Sequence, residues 1–126
     1  MNGGFGEDTL ERIADRLKAL ADPSRLAIVQ CLCGGERNVT SLAEETGMGQ
    51  AVVSRHLGIL RRRDLVTSRR EHRNVYYRLT SRMPEKICRL VCESVEEDAE
   101  RSLAAAREYA AGRADDRRTG RWKEPL

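Results

Sequence analysis

Residues 38–79 hold, in order, a short helical run, a Gly47-Met48-Gly49 break, a second helical run, and two β-prone runs around an arginine-bearing polar tip. No other feature of the chain restricts its fold as much. A glycine turn this short keeps two short helices against each other, and the ribbon that follows must share their core.

The first of these helices is predicted from about Thr40 to Thr46, with Ser41 and Glu44 in capping-box spacing and Leu42 and Ala43 facing inward. The second runs from about Gln50 to Arg63. Spacing residues about 100° apart around its axis sends Val53, Leu57 and Leu60 to the core and gathers Ala51, Ser54, Arg55, Gly58 and Arg62 on the other side. Small and hydrogen-bonding residues beside an arginine leave room for close approach to base edges in a major groove. Gln50 stands at the positive N-terminal end, where a side-chain amide and backbone N–H groups reach a base edge or a phosphate.

An exposed polar helix face is most often only a solvated one, and it is the ribbon that turns the reading toward nucleic acid. Val66–Arg70 and Val75–Leu79 flank Glu71-His72-Arg73-Asn74, with Asn74 as the residue able to take a positive φ. Arg69, Arg70 and Arg73 are placed for phosphates along a duplex, and Arg73 at the tip for a minor groove. Tyr76, Tyr77 and Leu79 anchor the ribbon to the core or meet a partner subunit. The layout is that of a winged helix-turn-helix, in which one helix enters the major groove and a β-ribbon touches the neighbouring backbone. With His56 at the edge of the buried side, the DNA-facing set is Gln50, Ala51, Ser54, Arg55, His56, Arg62, Arg69, Arg70 and Arg73.

Two helices precede this region. Leu10, Ile13, Leu17 and Leu20 lie at helical spacing within Thr9–Leu20. Asp22-Pro23 starts a second helix, Leu26, Ile28, Val29 and Leu32 supply its apolar contacts, and Gly34-Gly35 stops it. Beyond the ribbon, an alanine-rich stretch from Ala99 to Ala111 extends a last helix, with Leu103 and Tyr109 as its few larger contacts. The expected fold is mainly α with a small β-hairpin, a dimeric winged helix-turn-helix of order α-α-α-α-β-β-α. Residues 1–8 are expected to form a mobile N-terminus, 9–112 the winged domain with dimerising terminal helices, and 113–126 a disordered tail whose Trp122 is either incidentally exposed or docks back.

A chain of 126 residues suits one domain, and 40% hydrophobic with 4% aromatic residues gives a thin core, which favours a dimer. The net charge of +3 conceals its distribution: residues 50–82 hold nine arginines against Asp64 and Glu71. Residues 85–100 then carry Glu85, Glu93, Glu96, Glu97, Asp98 and Glu100 against Lys86 and Arg89. A polyanion-facing surface is thus followed by one that repels DNA. No apolar run approaches the ~20 residues that span a bilayer, and Met1–Asp8 lacks a signal-peptide pattern, so a cytoplasmic protein with no membrane partner is expected. Its four cysteines are then reduced thiols rather than a disulfide framework.

Leu17–Leu79 resembles the ArsR/SmtB family of bacterial transcriptional repressors. The resemblance is carried by L-K-A-L-A-D-P-S-R-L-A-I-V in residues 17–29, V-S-R-H-L-G-I-L in 53–60 and V-Y-Y-R-L in 75–79. It implies an obligate homodimer, formed through the first and last helices, that binds double-stranded operator DNA until an inducer lowers its affinity. The family's arsenic- and lead-type sensors carry E-L-C-V-C-D-L where this chain has Glu36-Arg37-Asn38-Val39-Thr40-Ser41-Leu42, so both ligand cysteines are absent. Its zinc- and nickel-type site needs Asp, His, His and Glu where Ser81, Met83, Ser94 and Glu97 stand.

Sulfur ligands elsewhere remain as candidates. Cys88 and Cys92, four residues apart, share a helix face, whereas Cys31 and Cys33 converge only if Cys33 has left the helix near Gly34. Thiolates favour arsenite and other soft metal ions. A pair drawn from helices two and five can instead be oxidised or persulfidated, and free cysteine is also a common small buried residue. The sequence leaves a metal- or metalloid-responsive repressor, a redox or persulfide switch, and cysteines with no sensing role all open. Two other classes compete. A thiol oxidoreductase is disfavoured because the chain has no C-x-x-C motif and no strand-helix alternation, so no enzyme is expected. A protein-binding winged module would show weak, salt-insensitive DNA binding.

Overall fold

The computed structural model describes residues 4–119, with the side chains of residues 4–113. The elements run α1 (Glu7–Leu20), α2 (Pro23–Cys33), β1 (Arg37–Asn38), α3 (Val39–Thr46), α4 (Gln50–Arg62), β2 (Val66–Glu71), β3 (Asn74–Leu79) and α5 (Met83–Thr119). The chain divides into a compact unit ending at Cys88 and a second beginning at Arg89. Trp122 lies outside the described residues.

Local chemistry sets most of the boundaries. The Asp22 carboxylate accepts from the Arg25 backbone N–H at 3.1 Å and Pro23 occupies the first turn, so α2 begins where its unsatisfied amides are capped. Helix α3 is capped differently from the expected Ser41/Glu44 box: Asn38 Oδ1 accepts from Ser41 N–H at 2.8 Å, and the helix starts at Val39. Asparagine in extended conformation serves this position well, and it also belongs to β1. Gly47, with φ 75°, closes α3 in a left-handed conformation that a side chain would strain.

The expected order gains one element. Arg37 and Asn38 pair antiparallel with Tyr77 and Tyr76, giving a three-stranded sheet of order β1-β3-β2 rather than a lone hairpin. A two-residue strand carries no alternation to read; its pairing with β3 alone makes it a strand. In the wing, Glu71 pairs with Asn74 and leaves His72-Arg73 as the turn, and it is His72, not Asn74, that takes the positive φ of 56°. The hairpin register puts the left-handed residue first in the two-residue loop, so Asn74 remains in the ladder.

Among the described residues, eleven hydrophobic side chains form the core: Ala19, Leu20, Ile28, Val29, Leu32, Leu42, Val53, Leu57, Leu60, Leu65 and Val66. Tyr77 and Leu79 pack against it from β3, which ties the wing to the helices as anticipated. Helix α1 departs from its sequence pattern, because Leu20 alone of its four spaced apolar residues is buried, while Leu10, Ile13 and Leu17 are 37–51% exposed. At its far end, α5 continues as helix past Gly112 to Thr119, into residues expected to form a tail. Helix α1 likewise begins at Glu7, before the expected Thr9.

Candidate nucleic-acid interface

Helix α4 presents the face that its sequence implied. Gln50, Ala51, Ser54, Arg55 and Arg62 are exposed, opposite the buried Val53, Leu57 and Leu60. Its N-cap, Gly49, offers no side-chain hydrogen bond, leaving the first-turn amides of α4 available to a phosphate or base edge. Arg70 and Arg73 are exposed on the wing. Among the described residues, Arg55, Arg62, Arg70 and Arg73 make no ion pair or hydrogen bond through their side chains, so four guanidinium groups stand ready for an external anion.

Two residues of the expected set have other work. His56 is 7% exposed and faces inward, where its Nδ1 accepts from Arg25 Nη1 at 3.3 Å. The same guanidinium donates to the carbonyls of Ala19 at 2.5 Å and Lys18 at 3.4 Å. Arg25 thereby bonds the end of α1 and links it to α4, and the His56 ring, expected in the DNA-facing set, is buried on the inward side of α4.

Arg69, exposed on the wing, is engaged by groups of its own chain. Its Nε and Nη2 donate to the Glu36 carboxylate at 2.8–3.1 Å, its Nη1 donates to Glu71 at 2.8 Å, and its guanidinium lies 4.9 Å from the Tyr76 ring centroid. Cross-strand pairing of Arg69 with Tyr76 brings the ring beneath it. Hydrogen bonding from Arg69 holds the Glu36 carboxyl below its ordinary range, and both carboxylates raise the guanidinium further. This fork-on-fork contact braces the wing against the segment that follows α2. Sequence distance concealed it, since the partners are 33 residues apart. Replacing Glu36 by Gln is expected to loosen the wing: amide exchange in 66–71 and 74–79 should quicken severalfold while α2 and α4 keep their protection. Unchanged exchange in the wing would show that the brace is not used.

The four thiols divide by burial. Cys31 and Cys88 are half-buried and both pack against the core, whereas Cys33 and Cys92 are exposed. Burial pushes the Cys31 thiol above its ordinary value, and a hydrogen bond with Glu45 adds to the rise. Burial raises Cys88. The neighbouring Glu96 charge is the main cause for Cys92, whose Sγ lies 3.7 Å from Glu96 Oε1. Cys33 lines a shallow cleft of about 550 Å³ with Leu32, Glu36, Arg78, Leu79 and Arg82. Among the described residues, no group of three or more His, Cys, Asp or Glu side chains is placed to hold a metal ion, and no helix is long and apolar enough to cross a membrane.

Residues 22–68 match the family model for bacterial regulatory proteins of the arsR family. The chain is 38% identical over 90 residues to a transcriptional repressor SmtB homolog from Synechocystis, covering 71% of this chain and 68% of that protein. This chain belongs to the ArsR family. That family consists of DNA-binding transcription regulators, not enzymes. A biofilm growth-associated repressor of Xylella fastidiosa is 39% identical over 74 residues, 59% of this chain and 65% of that protein, so the ArsR-type chain here spans just under two thirds of that relative. A homodimeric winged helix-turn-helix DNA-binding domain from Mycobacterium bovis superposes with a TM-score of 0.67 at 34% identity, covering 79% of this chain and 94% of the other. The fold is thus a winged helix-turn-helix, mainly helical with a small antiparallel sheet.

Proposed function

We propose that this ArsR-family chain is a homodimeric repressor that binds palindromic double-stranded operator DNA through α4 and the wing, and that a thiol-binding effector lowers its affinity. The carrying observation is the juxtaposition of an uncluttered polar face on α4 with the unengaged guanidinium groups of Arg55, Arg62, Arg70 and Arg73. A two-fold dimer places two such helices about one helical turn apart on the duplex. The exposed Leu10, Ile13 and Leu17 of α1 and the homodimeric Mycobacterium bovis relative support the second copy.

Gln50, Ser54 and Arg55 contact base edges; Arg62, Arg70 and Arg73 contact phosphates. Arg55→Ala should weaken operator binding about 10- to 100-fold and leave nonspecific binding nearly intact, while Arg70→Ala should weaken both alike. Equal losses on both DNAs for Arg55→Ala would remove it from base reading. A reporter fused to the operator separates repression from activation, because deleting the gene should raise its output.

The effector acts by linkage, preferring a dimer geometry that misplaces the two recognition helices; about 1.4 kcal/mol of coupling suffices for a tenfold loss of affinity. A soft metal ion or metalloid such as arsenite is the first candidate, by thiolate chemistry. Oxidation or persulfidation is the second, supported by Cys31 and Cys88 lying half-buried on the same core, two sulfurs in a protected setting. Fluorescence anisotropy of the reduced protein on its upstream DNA, with arsenite or polysulfide, is the test. Release by arsenite that Cys88→Ser/Cys92→Ser abolishes assigns a metalloid sensor; release by polysulfide that Cys31→Ser abolishes assigns a sulfur switch. Because the Cys31, Cys88 and Cys92 thiols are all raised, their reaction should accelerate as pH rises.

A further inference from the structure

At the C-terminal end of α4, Arg62, Arg63 and Asp64 line a hollow of about 100 Å³ together with Arg12, Asp15 and Arg16 of α1. Four arginines thus face two aspartates. Asp15 is taken by Arg63, whose Nη1 lies 3.6 Å from its Oδ2. Among the described residues, the side chains of Arg12, Arg16 and Arg62 make no ion pair or hydrogen bond, so three guanidinium groups stand against the Asp64 carboxylate. Basic residues in the last turn of α4 have a local reason, the partial negative charge of a helix C-terminus. That reason does not extend to Arg12 and Arg16, which lie between the end turns of α1. Like charges gathered about one hollow repel, and an anion held among them turns repulsion into attraction.

Size and direction both limit what that anion is. A hollow of about 100 Å³ is well below the ~300–1,000 Å³ that takes a drug-sized ligand, and it suits a single small group such as phosphate. Around the α4 axis, Ala51, Arg55, Gly58 and Arg62 fall within about 60° of arc, so Arg62 and its hollow end the exposed stripe that holds Arg55. That end lies about 16 Å along α4 from Ala51, past the bases that the first half of the helix faces in the proposed complex. On α1, Arg12 and Arg16 point about 100° away from the centre of the Leu10, Ile13 and Leu17 stripe, so a second copy on that stripe leaves them open.

We propose that this hollow is a further contact with DNA, in which Arg12 and Arg16 of α1 carry the grip of Arg62 on to backbone phosphates beyond the half-site. The proposal rests on the DNA-binding reading and extends its footprint to a helix outside the helix-turn-helix and the wing.

Salt-dependent anisotropy of the full chain on two operator duplexes is the test, one ending at the half-sites and one longer by about one helical turn on each side. The short duplex should keep the phosphate contacts of Arg62, Arg70 and Arg73 from two protomers, with a log–log slope of about −5. On the long duplex, four further phosphates should steepen the slope to about −9. Arg12→Gln/Arg16→Gln should return the long duplex to the short-duplex slope, whereas Arg12→Lys/Arg16→Lys, which keeps both charges, should not. Equal slopes on the two duplexes for the wild-type chain overturn this proposal and spare the repressor; slopes near zero on both overturn both. Titrating the protein alone with inorganic phosphate, followed by the guanidinium resonances of Arg12 and Arg16, separates a free anion from the duplex. No saturable shift is expected at millimolar phosphate, and one that the glutamine variant abolishes would assign the hollow to the free anion and overturn the DNA contact.

Discussion

Raising monovalent salt from about 50 mM to about 200 mM should weaken operator binding about a thousandfold. Each phosphate neutralised by a basic side chain contributes a slope of about −0.9 to the log–log dependence of affinity on salt. Arg62, Arg70 and Arg73 supply three such contacts per protomer in the proposed complex, six per dimer, and so a slope near −5. The structure enters this number directly, because Arg69 is held by Glu36 and Glu71 and is left out. Had Arg69 been available, eight contacts would give a slope near −7. Anisotropy titrations at several salt concentrations separate the two, and a dependence of less than about tenfold over the same range would remove the phosphate-binding role and favour a protein-binding module.

Leu57→Ala should destabilise the winged domain by about 2–5 kcal/mol, a large share of the 5–15 kcal/mol typical of a domain. Leu57 is 1% exposed, on the inward face of α4 beside Val53 and Leu60, in the small hydrophobic core of the described residues. Removing it also frees the recognition helix, so DNA affinity should fall although Leu57 touches no DNA. Urea unfolding at fixed protein concentration measures the loss, concentration being held because dimerisation adds to apparent stability. Leu57→Met should cost less than about 1.5 kcal/mol, and an equal loss for both variants would show that cavity formation is not the cause.

The exposed polar face of α4 was legible in the sequence because α4 obeys the simplest rule available, a 3.6-residue period separating Val53, Leu57 and Leu60 from Gln50, Ala51, Ser54, Arg55 and Arg62. The wing was legible for a similar reason, its two β-prone runs pairing in register from Val66–Leu79 to Glu71–Asn74. His56 shows where periodicity loses resolution. It lies at the margin of the buried arc, and a margin residue is assigned by its neighbours; here Arg25 of α2, 31 positions away, draws it inward.

What the sequence by itself determined is what is written in short-range pattern: the helices, the cap at Asp22, the glycine turn at Gly47, the hairpin, the basic middle of the chain and the motifs that place it in the ArsR family. Tertiary structure alone decided which charges are spent inside the molecule and which are offered outside it. Arg69 and Arg70 are adjacent, chemically identical and both exposed, yet alternation along β2 sends one to Tyr76 and Glu36 and the other to the opposite face, where among the described residues its side chain makes no ion pair or hydrogen bond. The strand β1 likewise exists only because β3 lends it partners. Hydrogen bonds and ion pairs act over a few ångströms of space, whereas residues that make them can be separated by any length of chain, so their pairing is fixed by the fold and not by local order.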